Sequence, residues 1–141
     1  MERPYKIDHL DHLVLRVRDL ERAVDFYRRL GGVECIRREG NVSLEMGGTT
    51  RVTLQFDPDF SPPSLSSMDH VNFAVDAENI EVVVDYLRSQ GLPVEKEERS
   101  HSSPSCRVTD PEQNVVEIRL TGFDAAELQR GALRGRQETR E

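Results

Sequence analysis

No apolar run in the chain approaches the roughly 20 residues needed to span a bilayer, so a helical membrane protein is excluded. The start, Met1-Glu2-Arg3-Pro4, lacks the basic-then-apolar pattern of a secretion signal, and the two cysteines, Cys35 and Cys106, form no Cys-x-x-Cys pair. That excludes a disulfide framework, makes a reducing cytoplasm the expected compartment, and leaves both cysteines as expected buried free thiols. Basic charge is also short. At a net charge of −7 and without a basic stripe, the chain repels nucleic acid and anionic lipid, and neither is an expected partner. What remains, 36% apolar and 32% charged residues over 141 positions, is the composition of a globular, water-facing protein. Units of half this length bury too little surface alone, so any internal repeat must be one fused fold.

A repeat is present. Asp11-His12-Leu13 falls on Asp69-His70-Val71, Ala23-Val24-Asp25-Phe26 on Val83-Val84-Asp85-Tyr86, Arg28 on Arg88, and Gly31 on Gly91. Each copy opens with a strand whose apolar residues alternate: Leu13, Leu15 and Val17, then Val71, Phe73 and Val75. Asp19 is a candidate N-cap for a helix over 20–30, in which Leu20, Ala23, Val24 and Tyr27 recur at helical spacing until Gly31-Gly32. The counterpart, Ile80, Val83, Val84 and Leu87, keeps that spacing despite the strand propensity of Val82-Val83-Val84. Three strands should follow in each half, near 33–38, 41–46 and 51–56, then near 94–98, 105–109 and 114–120. The fold class is therefore α+β: two tandem βαβββ modules, 8–57 and 68–121, joined by a Pro-rich linker at 58–67, with the helices on the outer face of the mixed sheet. Glu97 to Ser105 reads as a loop able to cover a cavity. The remainder, 122–141, should hold a short helix over 124–133 and a frayed tail.

Strand alternation lists the residues on the face opposite the apolar one. They are His12, Val14 and Arg16, and His70, Asn72 and Ala74, on the first strands. Aligning Thr53-Leu54-Gln55-Phe56 with Val115-Val116-Glu117-Ile118 adds Arg51, Thr53 and Gln55, and Val115, Glu117 and Arg119, on the last strands. The other face, Val52, Leu54 and Phe56 with Val116, Ile118 and Leu120, is continuously apolar. Two histidines at matched positions of a duplicated unit, together with one carboxylate, suit a divalent transition metal or zinc and leave coordination positions open. A lone strand histidine or glutamate is ordinarily a surface residue, and it is the matched pair that outweighs this reading. Gln55 can be a neutral fourth ligand or an ordinary polar residue. His9 and His101 have no symmetry mate and read as solvent or loop residues.

These residues carry a resemblance. The run Asp11-His12-Leu13-Val14-Leu15-Arg16-Val17-Arg18-Asp19-Leu20 leads into Asp25-Phe26-Tyr27, and Asp69-His70-Val71 and Asp110-Pro111-Glu112-Gln113-Asn114-Val115-Val116-Glu117-Ile118 follow. With them, residues 8–121 resemble the vicinal oxygen chelate superfamily, which includes glyoxalase I, fosfomycin-modifying enzymes, bleomycin-binding proteins, methylmalonyl-CoA epimerase and extradiol dioxygenases. The resemblance implies a cupped sheet around a metal held by His12, Gln55, His70 and Glu117, frequently in a homodimer. Gln55 stands where glyoxalase I typically has glutamate, and Val14 where thiol-using fosfomycin-modifying members have threonine.

The expected function is that of a metal-dependent lyase, isomerase or transferase acting on a small oxygen-rich molecule that chelates the ion, which could be Zn, Ni, Co, Mn or Fe. Glu117 is the expected catalytic residue as well as a ligand. Asn72, Arg16, Arg51 and Arg119 are the expected substrate-binding residues, the arginines favouring an anionic group. The alternative is a metal-free protein that sequesters a drug or metabolite, as the antibiotic-binding members do.

Overall fold

The computed structural model describes residues 2–4, 6, 8–61, 68–98 and 104–121. The centre of the expected linker at 62–67, the segment 99–103 with His101, and the expected helix and tail after 121 lie outside the described residues. The chain divides into two compact units, residues 1–64 and 65–141.

The first unit runs β1 (His12–Val17), α1 (Leu20–Leu30), β2 (Val33–Arg38), β3 (Asn41–Glu45) and β4 (Arg51–Phe56). Its four strands lie in the order β1-β4-β3-β2, with β1 parallel to β4 and the other pairs antiparallel. The parallel pair requires a crossover, and α1 begins it. The helix starts where expected because the Asp19 carboxylate accepts a hydrogen bond from the Arg22 backbone N–H at 3.1 Å, satisfying a donor the first turn leaves open. It ends at Gly31, whose φ of 126° an L side chain rarely adopts. Ala23, Val24, Phe26 and Tyr27 are buried, and α1 packs on β3 and β4 over Val42, Leu44, Val52 and Leu54.

The second unit repeats the plan: β5 (Val71–Val75), α2 (Ile80–Ser89), β6 (Lys96–Glu98), β7 (Ser105–Thr109) and β8 (Val115–Leu120), in the strand order β5-β8-β7-β6. Helical period prevails over the propensity of the valine run. Asn79 caps α2 by accepting from the Val82 N–H, and the helix buries Ile80, Val84 and Leu87 while leaving Val82 exposed. The core continues through Cys106, Val108, Val116, Ile118 and Leu120, and burial pushes the Cys106 thiol up to about 11.

Two local expectations need correction. Cys35 is exposed rather than buried, because the register of β2 against β3 slips between Glu34 and Ile36, and the bulged residue leaves the alternation. Phe56, placed on the continuous apolar face by alternation, is 43% exposed at the last position of β4.

Candidate metal centre

In the second unit, β8 is flanked by β5 and β7, and the register sets Asn72 and Arg107 on either side of Glu117. Glu117 is 6% exposed, although Val115 and Arg119, the next residues on its face, are half-buried. A carboxylate at that depth needs partners. Arg107 supplies two donors to Glu117 Oε2, Nη2 at 3.2 Å and Nε at 3.3 Å, and His70 Nε2 lies 3.4 Å from the same oxygen. The other ring nitrogen of His70, Nδ1, donates to the Asp69 carboxylate at 2.7 Å. That hydrogen bond, with a further contribution from the charge of Arg107, holds the Asp69 carboxyl below the usual carboxylate range. Nε2 of the same ring faces Glu117. A ring nitrogen and a carboxylate oxygen 3.4 Å apart can share a proton or a cation.

The first unit repeats half of this arrangement. His12 Nδ1 donates to the Asp11 carboxylate at 2.7 Å, and Arg51 Nη2 meets the same oxygen at 2.9 Å. Both lower the Asp11 pKa, the hydrogen bond from His12 first. An aspartate before a histidine is not in itself a signature, since His9 makes the same 2.7 Å contact with Asp8 without a counterpart in the second unit.

Register corrects the alignment of the last strands. His12 lies opposite Arg51 in the β1–β4 pair, while the β5–β8 pair, in which Asn72 faces Glu117, sets His70 opposite Val115. Superposing the histidines therefore matches Arg51 with Val115, Thr53 with Glu117, and Gln55 with Arg119. Burial agrees: Thr53 and Glu117 each occupy the middle of a buried triplet, and Gln55 and Arg119 are the half-buried residues after it. Thr53 shares a 2.8 Å hydroxyl hydrogen bond with Ser43, the neighbour that matches Arg107. Gln55 lies opposite Arg16, and its carbonyl oxygen accepts from Asn41 Nδ2 at 2.9 Å.

The expected site residues are thus distributed as follows. His70, Glu117, Asn72 and Arg119 share one face of the second sheet, with His70 and Glu117 in contact range. His12 and Arg51 share Asp11, while Arg16 turns to Asp57 at 3.4 Å. Arg107 was not among the expected residues. Its signal lay in the alternation Cys106, Arg107, Val108, a charged residue between two buried ones on a strand next to Glu117. Among the described residues, no three His, Cys, Asp or Glu side chains gather as a metal cluster. The donor pair of the second unit nevertheless suits an ion. Two donors each about 2.1 Å from one ion at the tetrahedral angle stand about 3.4 Å apart, which is the His70–Glu117 separation.

No helix among the described residues is long and apolar enough to cross a membrane. The chain is 28% identical over 121 residues to glutathione transferase FosA of Serratia marcescens, covering 84% of this chain and 85% of that protein. The fold matches a glyoxalase/dioxygenase from Nostoc punctiforme with a TM-score of 0.74 at 18% identity, covering 85% of this chain and 95% of the other. It matches lactoylglutathione lyase from Agrobacterium tumefaciens with a TM-score of 0.62 at 21% identity, covering 83% and 96%. The sequence model of the Glyoxalase/Bleomycin resistance protein/Dioxygenase superfamily matches residues 9–118, and the chain belongs to that superfamily.

Proposed function

We propose that His70 and Glu117 hold a divalent transition-metal or zinc ion, that His12 is the matching metal-binding residue of the first unit, and that the chain is a lyase, isomerase or transferase acting on a small oxygen-rich molecule that chelates the ion. The observation that carries this reading is Nε2 of His70 standing 3.4 Å from the buried Glu117 carboxylate. Such an ion, when bound, polarises a substrate oxygen and makes a coordinated water more acidic. The chain's own residues do the rest. Asp11 and Asp69 engage Nδ1 of His12 and His70 and so orient each ring. Glu117, nearly closed off from water, is the group placed to hold or pass a proton at a substrate oxygen. Asn72 and Arg119, on its face, orient the substrate, while Arg16 and Arg51 are engaged by Asp57 and Asp11. Gln55, held by Asn41 and offset from the position of Glu117, is left out of the ligand set.

The relative named a glutathione transferase supports group transfer, although Val14 in place of the threonine of thiol-using members points away from that particular reaction. A metal-free binding protein is the second reading, favoured by one observation: Arg107 already neutralises Glu117 without an ion. Metal content separates the two. The purified protein should retain a divalent ion in stoichiometric amount, and His70→Ala and His12→Ala should each lower that content. Stoichiometric metal in all three proteins overturns the site.

The homodimer is also a proposal. Val33, 64% exposed, and Ile36 lie on the edge strand β2, which a second copy would cover. Light scattering should give twice the chain mass at micromolar concentration.

A further inference from the structure

Among the arginines of the two sheets, Arg107 is in an unusual position. Arg16 and Arg51 meet the half-exposed or exposed carboxylates of Asp57 and Asp11, whereas Arg107 meets one that is buried. The Arg107 side chain itself is 35% exposed, against 9% for Glu117. One edge of the guanidinium therefore reaches a buried acceptor while the group remains open to solvent on the face carrying His70, Asn72 and Arg119. The charges of Glu117 and Arg107 balance each other only while Glu117 has no other cation to serve. A divalent ion on Glu117 would leave the ion and the guanidinium side by side with one carboxylate between them. Like charges at such range in a partly closed site are costly. An incoming anionic oxygen removes the conflict, and arginine, with five donors in a planar fork, suits a carboxylate. At the matching place in the first unit stands the neutral Ser43–Thr53 pair, so this charge is a property of one half only.

We propose that Arg107 is a substrate-binding residue that exchanges the Glu117 carboxylate for the carboxylate of the substrate when the metal is in place, which makes the substrate a carboxylate with a neighbouring oxygen donor. This rests on the metal reading above and adds the substrate's charge and the residue that reads it. The exchange makes anion and metal bind cooperatively, by a factor in the range of about 5–150.

Co²⁺ titrations followed by visible absorption, with and without glycolate, test it without any assay of activity. In the parent, millimolar glycolate should tighten Co²⁺ binding at least about fivefold. Arg107→Gln should bind Co²⁺ alone more tightly, about tenfold with solvent screening allowed for, because a competing cation is gone. Its response to glycolate should fall below about twofold, and Arg107→Lys, which keeps the charge and guards against a folding artefact, should recover part of it. Glycolate coupling that is absent in the parent, or that survives in Arg107→Gln, overturns the inference and leaves the metal site standing. A parent that binds no Co²⁺, or a His70→Ala variant that binds it as well as the parent, overturns the metal reading and the inference together.

Discussion

The two units share a backbone plan and differ most at one cross-strand pair. Where the first places Ser43 against Thr53, two hydroxyls 2.8 Å apart, the second places Arg107 against Glu117. The same register positions thus serve a neutral hydrogen bond in one half and an ion pair beside a histidine in the other. Backbone pairing and the apolar face hold each sheet together, while the polar face is free to diverge. Among the described residues, only the second half has a carboxylate of the sheet placed under cover in this way, and such a carboxylate retains a strong interaction with any cation that reaches it.

The broadest break of this comparison tests whether the apolar faces are equivalent in energy. Leu54 and Ile118 match by register and are 0% and 3% exposed. Each truncated to alanine should lose about 2–5 kcal/mol by urea denaturation. A marked inequality would show that one half carries more of the stability.

Next comes that pair itself. Arg107→Ser alone should cost about 3 kcal/mol by stranding Glu117, whereas the double variant Arg107→Ser/Glu117→Thr, which gives the second unit the first unit's pair, should come within about 1 kcal/mol of the parent. It should also have lost metal binding. Additive losses in the cycle would mean that the two residues are not coupled.

The aspartates behind the histidines sharpen the comparison further. Asp69→Asn and Asp11→Asn should each weaken metal binding about 10–100-fold, whereas Asp8→Asn, despite its like contact with His9, should change nothing. Both carboxyls are held below their ordinary value of 3.8. Their contribution to stability is therefore present above that value and is lost as pH falls through the lower folded value, so the asparagine variants should show a shallower loss of stability below pH 4. Acid titrations of all three variants provide the check.

The smallest effect lies in the turns before the last strands. The first unit uses Gly47 and Gly48, with φ of 101° and 54°, but the second sets Gln113 at φ 68°. Asp110 holds that turn by accepting from the backbone N–H groups of Glu112 and Asn114, both at 2.8 Å. Gln113→Gly should relieve the left-handed strain and raise stability by up to about 1 kcal/mol, net of the freedom that glycine adds to the unfolded chain. A lower melting temperature would show that the glutamine side chain contributes more than its backbone costs.

The repeat, both helices and nearly every strand boundary could be read from local pattern. Asp19 and Asn79 cap where their side chains can reach a free N–H, α1 covers the expected 20–30, and β2, β4 and β7 keep their expected ends, while β6 begins two residues late. Caps and periodicity act within a few residues and leave their mark in the order of amino acids. The site was legible only in part. A shift of two residues between paired strands keeps every side chain on the same face, so alternation could not distinguish Thr53 from Gln55 as the match of Glu117, and the hydrogen-bonded register had to decide it. The bulge that exposes Cys35 and the partner that Arg107 finds across β7 and β8 likewise depend on a neighbouring strand. The sequence by itself determined which residues face which side, because that follows from chain geometry. Tertiary structure alone decided which of them meet, because contact between strands distant in sequence is set by pairing that no local pattern encodes.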